Sequence, residues 1–145
     1  MDLKNKRIAI VGAGMTGLSC ATKLTQSGFS VTLFDKARGP SGRLSTRRFG
    51  SHTFDHGAPY FTAEHHAFRH QVGVWHHVGV AAPWRGRFGT WAQGEWNAVK
   101  DAATRWVGTP RMSALCRHMA EDLQIHYQTQ IQHLQQQQGR WTCVD

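Results

Sequence analysis

At 145 residues, with 40% hydrophobic residues and 15 glycines, the chain has the size of one globular domain, or of part of a larger one, and no room for two full catalytic domains. Disorder is not the default reading of such a composition, yet Leu, Ile, Val and Phe total only 28, so Ala, Met and the six Trp must fill much of a thin core. The formal charge of +8 is uneven, with nine Lys/Arg against two Asp in residues 1–48, which points to an anionic partner meeting the N-terminal third.

Arg7-Ile-Ala-Ile-Val11 is a short continuous apolar run, the form of a strand buried on both faces of a parallel sheet. From Met15 to Gln26, Leu18, Ala21 and Leu24 recur at helical spacing, and Ser27-Gly28 supplies the stop. Ser30 to Phe34 reads as a second strand ending at Asp35, so the chain opens β-α-β. Lys36-Ala-Arg-Gly-Pro-Ser-Gly-Arg43 is a cationic loop. Residues 64–108 hold five of the six Trp and show little periodicity; they read as a mixed, aromatic-rich insertion. Thr109-Pro110 reads as an N-cap and first-turn pair for an amphipathic helix to about Asp122, with Met112, Leu115, Met119 and Leu123 on its apolar face. Alternation at Ile125 and Tyr127 predicts a short strand. A hairpin follows, pairing Ile131 and His133 with Trp141 and Cys143 around a polar tip at Gln135–Gly139.

Gly12-Ala13-Gly14-Met15-Thr16-Gly17 lies between the first strand and the first helix, the context that gives GxGxxG its physical meaning. Gly12 permits the tight turn, Gly14 lets a diphosphate approach the backbone, and Gly17 lets the helix pack on the strand. The helix N-terminus offers amides and a positive dipole end to the phosphates. Asp35, 18 residues beyond Gly17, stands where an acid accepts hydrogen bonds from adenosine ribose hydroxyls. Its charge repels a 2′-phosphate, so NADP is disfavoured as the tight ligand while NAD and FAD remain open. A Gly/Pro-rich cationic loop after the acid, in place of another crossover helix, favours FAD.

The run GAGMTGLSCATKLTQSGFSVTLFDKARGPSGRLSTRR resembles the N-terminal FAD signature of the flavin amine oxidase superfamily, and FDHGAPYFTA and WVGTPRMSALCRHMA resemble its renalase-like branch. The resemblance implies an α/β fold, a Rossmann-like FAD-binding unit of the glutathione-reductase type. This unit is incomplete, because family members continue well past the position of Asp145. It also implies a division into 1–63, the FAD-binding βαβ and flavin-facing segment; 64–108, the start of a substrate region; and 109–145, a helix and hairpin returning to the FAD-binding domain. FAD would be held by the 12–17 loop, by Asp35 and Lys36, by Gly42 and Arg43 at the phosphates, by Ala58, Pro59 and Tyr60 along the flavin, and by Ile131 near the adenine. Ser41 and Pro59 depart from the family's usual Gly and Gln. The implied activity is oxidation of dihydronicotinamide isomers with O2 as acceptor, giving peroxide. Amine oxidation, or a non-catalytic dinucleotide-binding fragment, are the alternatives. No catalytic residue is identified.

No apolar run approaches the roughly 20 residues that span a bilayer, and the start at Met1 has no secretory pattern, so no membrane partner is expected. Cys20, Cys116 and Cys143 are odd in number and form no CxxC, which suits a reducing cytoplasm. Seven of ten histidines fall between 52 and 77; His66 and His70 share a helical face, but without a Glu or Cys partner they do not make a metal site, and His56 lies in the flavin-facing segment. The Trp spacing is no repeat and the positive charge lies elsewhere, so packing or a substrate pocket is preferred to nucleic-acid binding.

Overall fold

A computed structural model describes residues 6–99 and 103–145. Residues 1–5, where no secretory signal is expected, and 100–102, within the aromatic-rich insertion, lie outside the described residues. Strands β1 (Arg7–Val11) and β2 (Ser30–Asp35) pair in parallel, from Arg7 opposite Ser30 to Val11 opposite Phe34, and helix α1 (Met15–Gln26) connects them. Leu18 and Ala21 of α1 are buried with Val31 and Leu33 of β2, the apolar stripe that the sequence spacing predicts. The helix stops at Ser27 because Gly28 takes φ +85°, a left-handed conformation that suits glycine.

A 3₁₀ turn at Gly42–Leu44 leads into an antiparallel hairpin of β3 (Thr46–Phe49) and β4 (His52–Asp55). The insertion then resolves into helix α2 (His66–His77), strand β5 (Ala81–Pro83), and a hairpin of β6 (Gly89–Ala92) and β7 (Glu95–Ala98). Strand β8 (Trp106–Gly108) returns antiparallel to β5. Helix α3 (Ser113–Ala120) precedes β9 (Ile125–Tyr127), which adds to β2 in parallel, and the chain closes with hairpin β10 (His133–Gln137) and β11 (Arg140–Val144). The central sheet has the order β1-β2-β9. Parallel strands joined through a packed helix make the fold α/β and Rossmann-like, as expected.

Two apolar clusters lie side by side. One joins α1, β2 and Cys116 of α3; the other joins Val72 and Trp75 of α2 and Ala81 of β5 to Met112 and Leu115, with Met15, Leu44 and Met119 touching both. The insertion is therefore packed on the same helix that closes the dinucleotide-binding unit.

Four expectations need correction. Strand β1 is not buried on both faces: Arg7, Ala9 and Val11 are exposed, the last at 58%, because among the described residues only the face carrying Ile8 and Ile10 packs against the core. The helix of residues 109–122 begins only at Ser113, for Thr109 is engaged elsewhere. Its hydroxyl donates to the Gly79 carbonyl at 2.6 Å and its amide to that of Val80 at 3.0 Å. The same helix ends at Ala120. The polar tip of the last hairpin shrinks to Gln138-Gly139, since Gln135 to Gln137 pair within β10 and β11; Ile131 precedes the hairpin.

Candidate dinucleotide-binding site

The loop between β1 and α1 is drawn tight by its own backbone. Gly12, at φ +104°, donates its amide to the Phe34 carbonyl at 2.7 Å, so the turn is tied to the neighbouring strand as soon as it leaves β1. A methyl group on Gly17 would collide with the Gly12 carbonyl oxygen and press on Ile10, which is why the third glycine is needed for helix and strand to close. Gly14 and Gly42 meet backbone to backbone with no side chain between them: a Cβ built on Gly42 would stand 3.1 Å from the Gly14 Cα.

Between these loops opens a cleft of about 350 Å³, lined by the glycine turn with Met15 and Thr16 on one side and by Ser41, Gly42, Arg43 and Leu44 on the other. First-turn amides of a helix have no partner inside it, and the positive dipole end adds to the attraction for anions. A bare glycine cradle, a helix N-terminus and one guanidinium at the rim together fit a diphosphate. Seven of the predicted site residues, Gly12, Gly14, Met15, Thr16, Gly17, Gly42 and Arg43, meet here.

The others stand apart from the cleft lining. Ala13 is buried, and its amide donates to Asp35 Oδ2 at 2.6 Å; Asp35 Oδ1 accepts from the Ala37 amide at 2.7 Å. Asp35 thus pins the glycine turn to the end of β2, and each of its oxygens keeps a second lone pair for a ligand hydroxyl. Lys36 is exposed, outside the cleft. The amide of Ala58 donates to the Arg43 carbonyl at 2.9 Å, which brings residues 58–60 against the cleft's second wall. Pro59 has no amide hydrogen and the Phe61 amide donates to Trp106, so Tyr60 holds the one backbone donor of residues 58–61 with no partner among the described residues. Ile131 lies two residues beyond Thr129, whose amide donates to the Asp35 carbonyl at 3.0 Å. His56 is exposed, with its amide directed to the Ser45 carbonyl.

Asp55 was missed at the sequence level. Its carboxylate accepts from the Met112 amide at 3.1 and 3.2 Å and from the Thr46 hydroxyl, while Thr46 Oγ1 accepts from the Ser113 amide at 3.3 Å. A negative charge placed at the start of α3 caps the helix and fastens hairpin β3–β4 to it. Asp55 lies in FDHGAPYFTA and Met112 in WVGTPRMSALCRHMA. The two runs meet a second time where Phe61 and Trp106 exchange backbone hydrogen bonds of 2.8 and 2.9 Å. Cys116, fully buried behind this junction, has its thiol directed at the Ser41 carbonyl at 3.7 Å, and burial pushes its pKa up to about 11. The Tyr127 phenol is also raised, by burial first and then by the charge of Asp35, with Arg117 opposing.

Comparisons with known proteins agree with this geometry. Residues 10–73 match the family model of the NAD(P)-binding Rossmann-like domain. The chain is 41% identical over 54 residues to a zeta-carotene-forming phytoene desaturase of Myxococcus xanthus, covering 37% of this chain and 10% of that protein. It is 46% identical over 50 residues to a 4,4′-diapophytoene desaturase of Staphylococcus haemolyticus, covering 34% and 10%. Among solved structures, reduced UDP-galactopyranose mutase superposes with a TM-score of 0.53 at 26% identity, over 63% of this chain and 20% of that one. The chain spans about a tenth of the length of the curated relatives it matches. Loop geometry and comparisons point the same way: residues 10–73 resemble an NAD(P)-binding Rossmann-like domain, and the chain is similar in sequence to short segments of carotenoid desaturases.

Proposed function

We propose that this chain is the dinucleotide-binding part of an FAD-dependent oxidoreductase. The observation that carries the reading is the cleft lined by Gly12, Gly14 and Gly42 beside the α1 N-terminus, with Arg43 at its rim: a phosphate-binding turn backed by a cationic loop directly after the ribose acid. The protein's part is to grip the diphosphate with the 12–17 loop and Arg43, to hold the ribose at Asp35, and to lay residues 58–60 along the ring system. FAD, when bound, supplies hydride acceptance and electron transfer to O2.

Within that class we favour oxidation of dihydronicotinamide isomers, supported by the two sequence runs that the fold binds together through Asp55 and through Phe61–Trp106. The aromatic wall beside Tyr60, made with Trp84 and Phe88, suits a flat substrate. Three free cysteines accord with a reducing, cytoplasmic setting, and no described helix is long and apolar enough to cross a membrane.

The test is to refold the chain with FAD or NAD and measure retained ligand. Retention of FAD with a flavin spectrum is the expected result, and tighter binding of NAD with no flavin retained refutes the cofactor assignment. A second assay offers dihydronicotinamide isomers and amines to the flavin-loaded protein, alone and extended beyond Asp145. Peroxide formed only from amines moves the substrate to the alternative class.

A further inference from the structure

The cationic loop has more charge than the dinucleotide cleft uses. Of its three basic residues, only Arg43 lines that cleft; Arg38 turns to a second concavity, about 230 Å³, which shares only Ser41 with the first. Arg117, from α3, stands at the other side of this second cleft, and Thr46 and Ser113 lie between them. No carboxylate lines it, and among the described residues neither arginine has a salt-bridge partner.

Ser113 sharpens the case. It is 5% exposed, yet its hydroxyl makes no hydrogen bond to any described residue and opens into the cleft. Its neighbour Thr46 is already committed, donating to Asp55 and accepting from the Ser113 amide. Asp55 lies behind Thr46 with its charge absorbed by the start of α3. The open donors are therefore two guanidinium forks on separate elements and one sheltered hydroxyl.

We propose that this second cleft is a binding site for a phosphate group, distinct from the dinucleotide diphosphate site. A single carboxylate satisfies one guanidinium; a tetrahedral dianion offers oxygens to both forks and to the Ser113 hydroxyl at once. The cavity holds the volume of roughly seven water molecules, enough for a phosphate with a small organic substituent. The site would also bear on the cofactor. Ser41 belongs to both clefts, pairs with Gly14 and receives the Cys116 thiol, so an anion that stiffens residues 37–41 steadies the Gly42–Arg43 wall.

The experiment titrates the full chain with inorganic phosphate, with ribose 5-phosphate and with uncharged ribose at fixed ionic strength, following heats and amide chemical shifts. Phosphate should move the amides of Ser41 and Ser113. Arg38→Gln and Arg117→Gln should each weaken binding about tenfold, whereas Arg43→Gln should change it by no more than about twofold. Both arginines are exposed, so these variants should fold. Tighter binding of ribose 5-phosphate than of phosphate assigns the group to a metabolite, and equal binding assigns it to the free ion. Binding lost in Arg43→Gln but kept in the other two, shifts confined to Gly12–Gly17, ribose 5-phosphate bound no better than ribose, or no binding at all overturns the proposal.

Discussion

Gly14 and Gly17 are the second and third glycines of one loop, yet a methyl group would do different damage at each. At Gly14 it would meet only the Gly42 Cα at 3.6 Å, an ordinary contact, and the backbone φ of −80° suits any residue. Gly14→Ala should cost less than about 1 kcal/mol of stability and still weaken FAD binding by about tenfold or more, because the new methyl occupies the diphosphate's approach. Gly17→Ala drives Cβ into a backbone carbonyl and should destabilise the fold by about 2 kcal/mol or more. Thermal melts of the apo proteins with parallel FAD titrations separate the two effects. Asp35→Ala should reduce FAD affinity by roughly 1.5 to 3 kcal/mol, the scale of a hydrogen bond to a charged group. It should also lower apo stability, since the carboxylate bonds Ala13 and Ala37 before any ligand arrives. Unchanged apo stability would show that these two bonds contribute nothing net.

Helix α3 depends at its start on Asp55 and along its length on Cys116. Asp55→Ala removes the helix cap and the hairpin tie together, and should lower stability by about 1 to 2 kcal/mol in chemical denaturation. Cys116 carries a pH signature. Its thiol pKa is raised by burial from 9.0 to about 11, so over that interval the unfolded chain loses its proton first. The stabilisation is complete below pH 9, is lost as pH rises toward 11, and amounts to at most about 2 kcal/mol. Tyr127, also raised, acts with the same sign. Melting temperatures measured across this range should fall less steeply in Cys116→Ala than in the parent, from a lower starting point; parallel slopes would assign the loss to other groups. These elements also show where sequence reading stops. The unit β1-α1-β2 is legible because Leu18, Ala21 and Leu33 keep their periods beside an unmistakable glycine turn. The hairpin β3–β4 is not, since strand β4 is exposed at every residue and β3 at all but one, so no burial pattern marks them. In α2 the stripe of Phe68, Val72 and Trp75 is helical in spacing but diluted by histidines, Gly73 and Val74. Thr109-Pro110 imitates a helix start, but tertiary hydrogen bonds tie Thr109 to Gly79 and Val80, the turn before β5. The role of Asp55 depends on a partner 57 residues away, which no local pattern encodes.

At the scale of the molecule, one three-stranded parallel sheet with its helices is accompanied, among the described residues, by four two-stranded ribbons. An isolated ribbon is marginally stable in water, and Trp91, Trp96, Leu134 and Trp141 on two of these ribbons are more than half exposed. Native-state hydrogen exchange should therefore be slowest in β2 and α1 and fast in β6–β7 and β10–β11. Uniform protection would mean that the outer ribbons are held by contacts the described residues do not make. Strand β1 presents an open edge and Val11 beside it, so sedimentation should show association that rises with concentration and weakens in Val11→Lys.

The paired hydrogen bonds between Phe61 and Trp106 close the chain on itself, so that everything from Thr62 to Arg105 leaves and re-enters the fold at one point. A segment with its two ends held together can be exchanged or lengthened at little entropic cost, about 0.6 kcal/mol for each doubling of a flexible loop. The clasp makes this segment a replaceable cassette, provided that any replacement supply a strand to pair with β8 as β5 does, carbonyls for Thr109, and an apolar helix face where Val72 and Trp75 now meet Met112 and Leu115. Segments of quite different surface could then be carried at this one point while the glycine turn and its acid stay unchanged.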